Sequence, residues 1–248
     1  MKKGQLVLLL AKDESYIIEV SDLDFNAQSG IIKAKDLLNK KFGEKVRTHL
    51  GKEFILVKPN IKDFFEKYAK RLQQVILPKD ASLILTYTGI GPGNNVIDVG
   101  TGSGWIAILL AYYVQPGKVY TYEKDERAIK IAKINIKNSG LKNIVLKRKD
   151  ATKGLDEKNV DLVTIDMKDA KKVVKHAYKA LKIGGWLAIY SPYIEQVIEV
   201  RKEIEKRNFS NIVTVENIVR EWQMELTLRP KNVGLMHTGF LTFARRII

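Results

Sequence analysis

From residue 96 onwards, short apolar runs alternate with stretches in which apolar residues recur at helical spacing. The runs predict strands at residues 96–99, 119–123, 144–146, 160–165 and 186–190. The helical spacing, as in Ile129, Ala132 and Ile136, predicts helices over residues 125–139, 171–181 and 194–207. Two late runs, at residues 212–219 and 235–243, have no helical pattern between them and predict an antiparallel pair. We therefore expect an α/β fold with a Rossmann-like parallel sheet that ends in an antiparallel hairpin.

The first sixty residues follow a different pattern. Apolar runs at residues 5–10, 15–20 and 54–57 are short and are separated by polar turns, which predicts strands. A helical pattern begins near Ile61 and continues towards Leu72. We therefore expect a small β-rich N-terminal domain over residues 1–60, followed by a larger domain over residues 61–248 that contains the parallel sheet.

Composition narrows the possible functions. The chain has 248 residues, no cysteine and only three histidines, which excludes disulfides and thiolate metal sites and argues against a histidine-rich metal site. No apolar stretch has membrane-spanning length, and the charged start lacks a signal-peptide pattern, so we expect a cytoplasmic enzyme with an organic cofactor and no metal. The formal net charge of +15 favours nucleic acid as a partner, although a lysine-rich solvated surface is the simpler alternative.

The most informative motif follows the predicted strand at residues 96–99. Three glycines stand at alternate positions between the carboxylate of Asp98 and an apolar helix that begins at Trp105. Glycine permits a sharp turn and lets a ligand approach the main-chain amides. The spacing differs from that of dinucleotide-binding loops and suits S-adenosylmethionine, which has no pyrophosphate. The candidate cofactor-binding residues in this motif are Asp98, Gly100, Thr101, Gly102, Ser103 and Gly104.

Carboxylates also end the next three predicted strands, at the sheet edge where ligands bind. Glu123 follows the glycine loop by about twenty residues, the offset at which a carboxylate meets ribose hydroxyls. The structural alternative for Glu123 is a capping or solvated glutamate beside Asp125. Asp150 is placed either to accept a hydrogen bond from an adenine amino group or to cap a helix. Asp166 is placed either to hold the atom that is methylated or to cap the following helix.

Together these residues resemble the cofactor and active-site positions of class I S-adenosylmethionine-dependent methyltransferases. More narrowly, the chain resembles the TrmI-type tRNA (adenine-N1)-methyltransferases, which modify the T-loop adenine at position 58 and, in some archaea, its neighbour at position 57. The most specific match is the tail, Leu228-Arg229-Pro230 followed by residues 237–246. The resemblance implies S-adenosylmethionine as cofactor, tRNA as partner and a homotetramer. It also implies that the N-terminal domain serves RNA binding or oligomerisation.

The resemblance assigns roles that the residue patterns leave open. It implies that Gln74 binds the cofactor, that Asp166 is the catalytic carboxylate, and that His237 and Thr238 border the target base. Tyr193, after the fifth predicted strand, is placed either to stack on an extruded adenine or to pack within the fold. All of these residues lie in the segments that match the family.

The chain departs from the family pattern beside Asp166. The family usually has Asp-Leu-x-x-Pro there, whereas this chain has Asp166-Met167-Lys168-Asp169-Ala170. Loss of the proline predicts a more relaxed loop at the target-base pocket, and Leu77 stands where archaeal relatives often have a histidine. These departures bear on the choice of target rather than on the cofactor.

Two other functions compete with this interpretation. A protein methyltransferase of the isoaspartyl type shares the early motifs, but it predicts an acidic or neutral surface and lacks the tail. A non-catalytic tRNA-binding subunit predicts a degraded cofactor site, whereas Gly100, Gly102, Gly104 and Glu123 are all present. A cofactor-binding assay separates this second alternative from both enzymes.

Overall fold

The computed structural model of this chain describes residues 1–72, 75–225, 227–232, 234 and 236–248. It divides into two compact units, Met1–Ala69 and Lys70–Ile248. The boundary lies nine residues after the expected one at residue 60, because the helix that follows packs against the N-terminal sheet. No helix in the described ranges is both long and apolar enough to cross a membrane.

The first unit consists mainly of antiparallel strands. Its elements are β1 (Leu6–Leu10), β2 (Ser15–Glu19), β3 (Phe25–Ala27), β4 (Gly30–Ile32), α1 (Ala34–Leu37), β5 (Lys45–Arg47), β6 (Glu53–Val57) and α2 (Ile61–Lys67). The main sheet has the order β2-β1-β6-β5, and β3 and β4 form a separate hairpin. Helix α2 begins with a capping box formed by Asn60 and Asp63 and packs against β2. It ends at Lys67, five residues before the expected end near Leu72.

The second unit alternates strands and helices as predicted. Its elements are α3 (Pro78–Thr88), β7 (Val96–Val99), α4 (Trp105–Val114), β8 (Val119–Glu123), α5 (Glu126–Ser139), β9 (Ile144–Arg148), β10 (Val160–Ile165), α6 (Ala170–Ala180), β11 (Leu181–Ser191), α7 (Ile194–Glu205), β12 (Phe209–Glu216), β13 (Trp222–Gln223), β14 (Arg229–Pro230) and β15 (Phe240–Arg246). Residues Ala151–Lys153 form a single 3₁₀ turn.

Seven strands of this unit form one sheet with the order β12-β15-β11-β10-β7-β8-β9. Strands β9, β8, β7, β10 and β11 are parallel, and β15 runs antiparallel to both β11 and β12. Apolar side chains are buried on both faces of the sheet, as expected for a parallel sheet covered by helices. The predicted parallel sheet with an antiparallel end is confirmed.

The late strands differ from their predicted bounds. Strand β15 begins at Phe240 rather than at residue 235, which lies outside the described residues, because Thr238 is held by side chains of α3 instead of a neighbouring strand. It continues through Arg245 and Arg246, whose guanidinium groups donate to backbone carbonyls nearby. The apolar pattern misses this end because the side chains there are charged.

Candidate active site

The strand order places a switch point at the centre of the second unit. The chain proceeds from β7 to β8 and β9 and then returns to pair β10 with the other side of β7. Ligands of such sheets bind at the carboxyl ends of the strands beside this reversal. A cleft of about 860 Å³ opens there. The expected site residues that line it are Gly100, Thr101, Gly102, Ser103, Glu123, Asp150, Asp166 and Tyr193.

Gly100 allows the two central strands to end close together. Its φ is +91°, and a Cβ added there would lie 2.0 Å from the carbonyl oxygen of Asp166. Any side chain would therefore push the loop away from the end of β10. Gly102 differs, since a Cβ added there meets nothing nearer than 4.0 Å. Gly104 caps α4 with a φ of +88° and does not line the cleft.

Asp98 is buried next to the glycine loop and does not line the cleft. One carboxylate oxygen accepts a hydrogen bond from Thr121 Oγ1 and the other from Thr164 Oγ1, both at 2.7 Å. The Thr121 hydroxyl lies 2.5 Å from that of Thr101 in the loop. Burial raises the pKa of Asp98 to about 6, against the opposing effect of the two hydroxyl donors.

Glu123 closes the glycine loop from the end of β8. Its Oε2 accepts a hydrogen bond from the Gly102 amide at 2.9 Å, and its Oε1 accepts from the amides of Lys124 and Asp125 at 2.8 and 3.0 Å. The structure therefore brings the glutamate and the loop into direct contact. Asp125 itself caps α5, so the helix does not need Glu123 as its cap.

Asp150 caps the 3₁₀ turn and also lines the cleft. Its Oδ1 accepts hydrogen bonds from the amide and hydroxyl of Thr152, which caps the 3₁₀ turn. Its Oδ2 faces Lys124 Nζ at 3.5 Å on the cleft side. The Thr152 hydroxyl, followed by the Thr152 amide, lowers the pKa of Asp150, so this group stays ionised.

Asp166 lies half-buried in the cleft at the end of β10. Its amide donates to the Val99 carbonyl at 2.8 Å, which fixes the backbone beside the glycine loop. Across the described residues, no hydrogen bond to its carboxylate is found. Burial, followed by the negative charge of Asp98, raises the pKa of Asp166 to about 7. A carboxyl group with this pKa changes protonation state near neutral pH.

The loop after Asp166 contains a hydrogen-bonded turn. The Ala170 amide donates to the Met167 carbonyl at 3.2 Å, and Met167 packs against the core. Asp169, not Asp166, occupies the position that precedes α6. Asp166 therefore does not cap α6, and it lines the cleft.

His237 and Thr238 are not among the residues that line the cleft, and both contact residues that do. Both nitrogens of His237 face acceptors, Glu216 Oε1 at 2.5 Å and the Pro192 carbonyl at 3.1 Å. Thr238 is buried, with its hydroxyl donating to Asp80 Oδ2 at 2.7 Å. Thr238 contacts the cleft lining through Tyr190, whose Oη donates to the Thr238 carbonyl at 2.5 Å, and His237 does so through Pro192.

Tyr193 stands at the cleft rim with 65% of its surface exposed, which leaves its ring available for stacking. Gln74 lies outside the described residues.

The cleft is lined by groups of both charges. Three lysines, Lys124, Lys149 and Lys168, add positive charge beside the carboxylates that line it. The described side chains contain no cluster of three or more residues suited to holding a metal ion.

The sequence patterns did not reveal the buried Asn135. Its side chain joins the backbone at Lys70 to the glycine loop at Ser103. Its Nδ2 donates to the Ser103 and Lys70 carbonyls at 2.7 and 2.8 Å, and its Oδ1 accepts from the Lys70 amide at 2.9 Å. Ser103 Oγ accepts in turn from the Leu72 amide at 2.9 Å. The available signal was an asparagine on the apolar face of α5, where a polar side chain needs a partner.

The strand order and the cleft define a class I S-adenosylmethionine-dependent methyltransferase fold. A SAM-dependent O-methyltransferase from Thermotoga maritima is similar over the whole chain and 95% of its own, with 31% identity and a TM-score of 0.90. The tRNA (m1A58) methyltransferase TrmI from Aquifex aeolicus is similar over the whole chain and 99% of its own, with 24% identity and a TM-score of 0.83.

Sequence comparison specifies the family within this class. The model of the family described as "tRNA methyltransferase complex GCD14 subunit" matches residues 67–231. The tRNA (adenine(57)-N(1)/adenine(58)-N(1))-methyltransferase TrmI of Methanocaldococcus jannaschii is 31% identical over 96% of this chain and 94% of its own length. The chain belongs to the GCD14/TrmI family of tRNA methyltransferases, as the sequence motifs predict.

Proposed function

We propose that this protein transfers the methyl group of S-adenosylmethionine to N1 of the adenine at position 58 in the T-loop of tRNA. The observation that carries the proposal is the carboxylate of Asp166, which stands in the switch-point cleft of a tRNA methyltransferase fold beside an intact glycine loop. A neutral adenine can donate a hydrogen bond from its N6 amino group to such a carboxylate, which leaves the lone pair of N1 free to attack the methyl group.

The residues of the cleft fit S-adenosylmethionine. The open space at Gly102 leaves room for a ligand against the loop, and Glu123 presents a carboxylate suited to ribose hydroxyls. Asp150 has one oxygen on the cleft side, where an adenine amino group would find an acceptor. Asp98 acts from below by holding Thr121, which in turn holds Thr101. When bound, the cofactor supplies an electrophilic methyl group on a positively charged sulfur.

Asp166 would orient the target base. Its carboxylate accepts a hydrogen bond from the N6 amino group of adenine, which directs the in-plane lone pair of N1 towards the methyl group. The reaction needs no protein nucleophile, so catalysis is chiefly positional. The methylated base is cationic, and a fixed carboxylate stabilises this charge as it develops.

Tyr193 would receive the base after it leaves the tRNA stack. Enzymes that modify a stacked or paired base extrude it into a pocket and hold it against aromatic side chains. The exposed ring of Tyr193 at the rim of the cleft suits this contact. Lys168 and Asp169, which the departure from the family pattern places beside Asp166, would then contribute to target selection.

A competition between two methyl acceptors distinguishes tRNA methylation from the isoaspartyl-type protein methyltransferase. Labelled S-adenosylmethionine is supplied together with unmodified tRNA and an isoaspartyl peptide, and the label is followed in each. We expect the tRNA to take up the label and the peptide to remain unlabelled. Label in the peptide alone would support the protein methyltransferase instead.

Replacing Glu123 with alanine is expected to weaken S-adenosylmethionine binding by about ten- to a hundredfold, because hydrogen bonds to a charged group are lost. Calorimetric titration measures the dissociation constant. Glu126→Ala provides the matched control, since Glu126 is an exposed glutamate paired with Arg148 rather than a cleft residue. An unchanged dissociation constant in Glu123→Ala would rule out the ribose contact.

Raising the salt concentration is expected to weaken tRNA binding along a steep log–log slope. Basic residues exceed acidic ones only slightly in residues 1–69, so most of the +15 excess lies in residues 70–248. Lys168→Gln should reduce the slope by about one if Lys168 contacts a phosphate. Lys182→Gln is the control, because Lys182 pairs with Asp161 at the amino ends of β10 and β11, away from the cleft. A flat slope for the unaltered protein would exclude charge as the basis of binding.

We also propose an assembly from the resemblance to the TrmI family. A homotetramer in the cytoplasm, with the Met1–Ala69 unit contributing to RNA binding or to subunit contacts, is consistent with the separate core of that unit. Light scattering combined with size-exclusion chromatography measures the mass directly. A mass of four chains is expected, and a mass of one chain would rule the tetramer out.

A further inference from the structure

His237 makes two hydrogen bonds that a neutral imidazole cannot make together. Nδ1 lies 2.5 Å from Glu216 Oε1, and Nε2 lies 3.1 Å from the carbonyl oxygen of Pro192. An ionised carboxylate and a backbone carbonyl only accept hydrogen bonds. Neutral histidine donates from one nitrogen, whereas the imidazolium donates from both. The geometry is therefore complete only when His237 is cationic.

Among the described residues, the charged groups that act on His237 lie on two elements. Glu216, at the end of β12, faces the ring directly, and Lys79, in α3, is the nearby positive charge. The Lys79 ammonium is engaged by Asp80 Oδ1 at 2.8 Å and by the Thr238 hydroxyl at 2.6 Å. The Glu216 hydrogen bond, followed by that of the Pro192 carbonyl, raises the pKa of His237, while Lys79 opposes the shift.

The second acceptor connects His237 to the cleft. Pro192 lines the cleft and immediately precedes Tyr193 at the rim. The same tail segment packs closely against Tyr190. A Cβ added at Gly239 would lie only 2.6 Å from the Tyr190 ring, so the Gly239 backbone lies directly against that ring. Residues 237–239 therefore support one wall of the cleft from behind, and His237 is the member of that support whose hydrogen bonding depends on protonation.

We propose that His237 is a positioning residue that, as an imidazolium bridging Glu216 and the Pro192 carbonyl, fixes the wall that carries Tyr193 for the target base. This inference rests on the proposed function, because it assigns Tyr193 to the RNA side of the cleft. His237 does not touch the reacting atoms. Its effect is expected on the KM for tRNA rather than on kcat.

The direction of the pH dependence follows from the raised pKa. Both hydrogen bonds are present below the ordinary value of 6.5, and the bridge is lost as the pH rises through the higher value of the folded protein. The KM for tRNA should then rise about three- to tenfold on the alkaline side, the size expected when one hydrogen bond ceases to order a binding surface.

Nuclear magnetic resonance tests the protonation state without any RNA. The imidazole nitrogens of the full chain, which has only three histidines, are titrated, and the His237 signals are assigned from their absence in His237→Gln. We expect a midpoint above 6.5 and two protonated nitrogens at pH 6.5, with Glu216→Gln lowering the midpoint. A neutral ring at pH 6.5, or a midpoint unmoved in Glu216→Gln, would overturn the proposal.

Steady-state kinetics then tests the consequence with three variants. His237→Gln, which donates to one partner at a time, should show at low pH the raised KM that the wild type reaches only on the alkaline side, so its KM should not change with pH. His237→Arg, which keeps its charge and several donors, should retain a low KM that does not change with pH. Glu216→Gln should shift the rise to lower pH. An unaltered KM and profile in His237→Gln would exclude the positioning role.

The two tests also separate this inference from the proposed function. If the protein methylates no tRNA, no KM for tRNA can be measured for the wild type or for any variant. The titration still reports whether the imidazolium forms. If tRNA is methylated but His237 titrates as an ordinary histidine, only the positioning role is wrong.

Discussion

Asp166→Asn is expected to lower kcat by about two to three orders of magnitude, the range found when a fixed group that stabilises developing charge is removed. Asparagine keeps the shape of the side chain but cannot stabilise a cationic base. The dissociation constant for S-adenosylmethionine should change little, because Glu123 and the glycine loop remain in place. Single-turnover kinetics and calorimetric titration measure the two quantities.

The matched control for Asp166 is Asp169→Asn. Asp169 also lines the cleft, but its carboxylate pairs with Lys172 at 3.0 Å and stands at the start of α6. We expect a modest effect on kcat there. Equal losses of turnover and cofactor affinity in Asp166→Asn would mean that Asp166 acts in binding or folding rather than in catalysis.

The raised pKa of Asp166 extends this prediction to the wild type. In the proposed mechanism Asp166 acts as a carboxylate, and burial and Asp98 raise its pKa to about 7. The ionised fraction therefore increases as the pH rises through this value, so kcat/KM for S-adenosylmethionine, which reports the free enzyme, should fall below about pH 7. This acid limb should be absent from Asp166→Asn. An identical limb in the variant would assign it to another group.

Gly100→Ala is expected to be the most disruptive substitution in the cleft. The new methyl group would occupy space 2.0 Å from the Asp166 carbonyl, and the φ of +91° is strained for alanine. The combined strain and overpacking should lower the free energy of unfolding by roughly 2–5 kcal/mol. Cofactor binding should weaken by at least about a hundredfold, because the loop and the end of β10 must separate.

Two other glycines provide the comparison for Gly100→Ala. Gly91 has open space around its Cβ position and a φ outside the left-handed region, so Gly91→Ala should leave stability and cofactor binding almost unchanged. Gly102→Ala has space within the protein, although its φ is +53°. It should weaken cofactor binding with a smaller loss of stability. Denaturant unfolding and calorimetric titration distinguish the three outcomes, and a stable Gly100→Ala that binds normally would contradict the described loop geometry.

Local patterns predicted much of this fold because its central strands are apolar and its helices are amphipathic. The strand predicted at residues 160–165 coincides with β10. The glycine loop was recognisable because glycine is needed where two strand ends approach closely. Carboxylates at strand ends could be assigned to one cleft because parallel strands present their carboxyl ends along the same edge.

The contacts of the tail could not be predicted, because they join residues that are distant in sequence. Thr238 is held by Asp80 across 158 residues, and His237 reaches Pro192 across 45. Nothing local in the sequence indicates that the His237 ring faces Glu216 and the Pro192 carbonyl. Strand β11 was likewise predicted too short, because Gly184 and Gly185 resemble a turn although the strand continues through them.

The central claim is that this chain methylates N1 of the T-loop adenine at position 58. Its most direct test is methyl transfer from labelled S-adenosylmethionine to unmodified tRNA, followed by nuclease digestion and mass spectrometry to map the modified nucleoside. We predict N1-methyladenosine at position 58, with its yield strongly reduced in Asp166→Asn. Methylation of another nucleoside alone, or cofactor binding without any methylated tRNA, would contradict this claim.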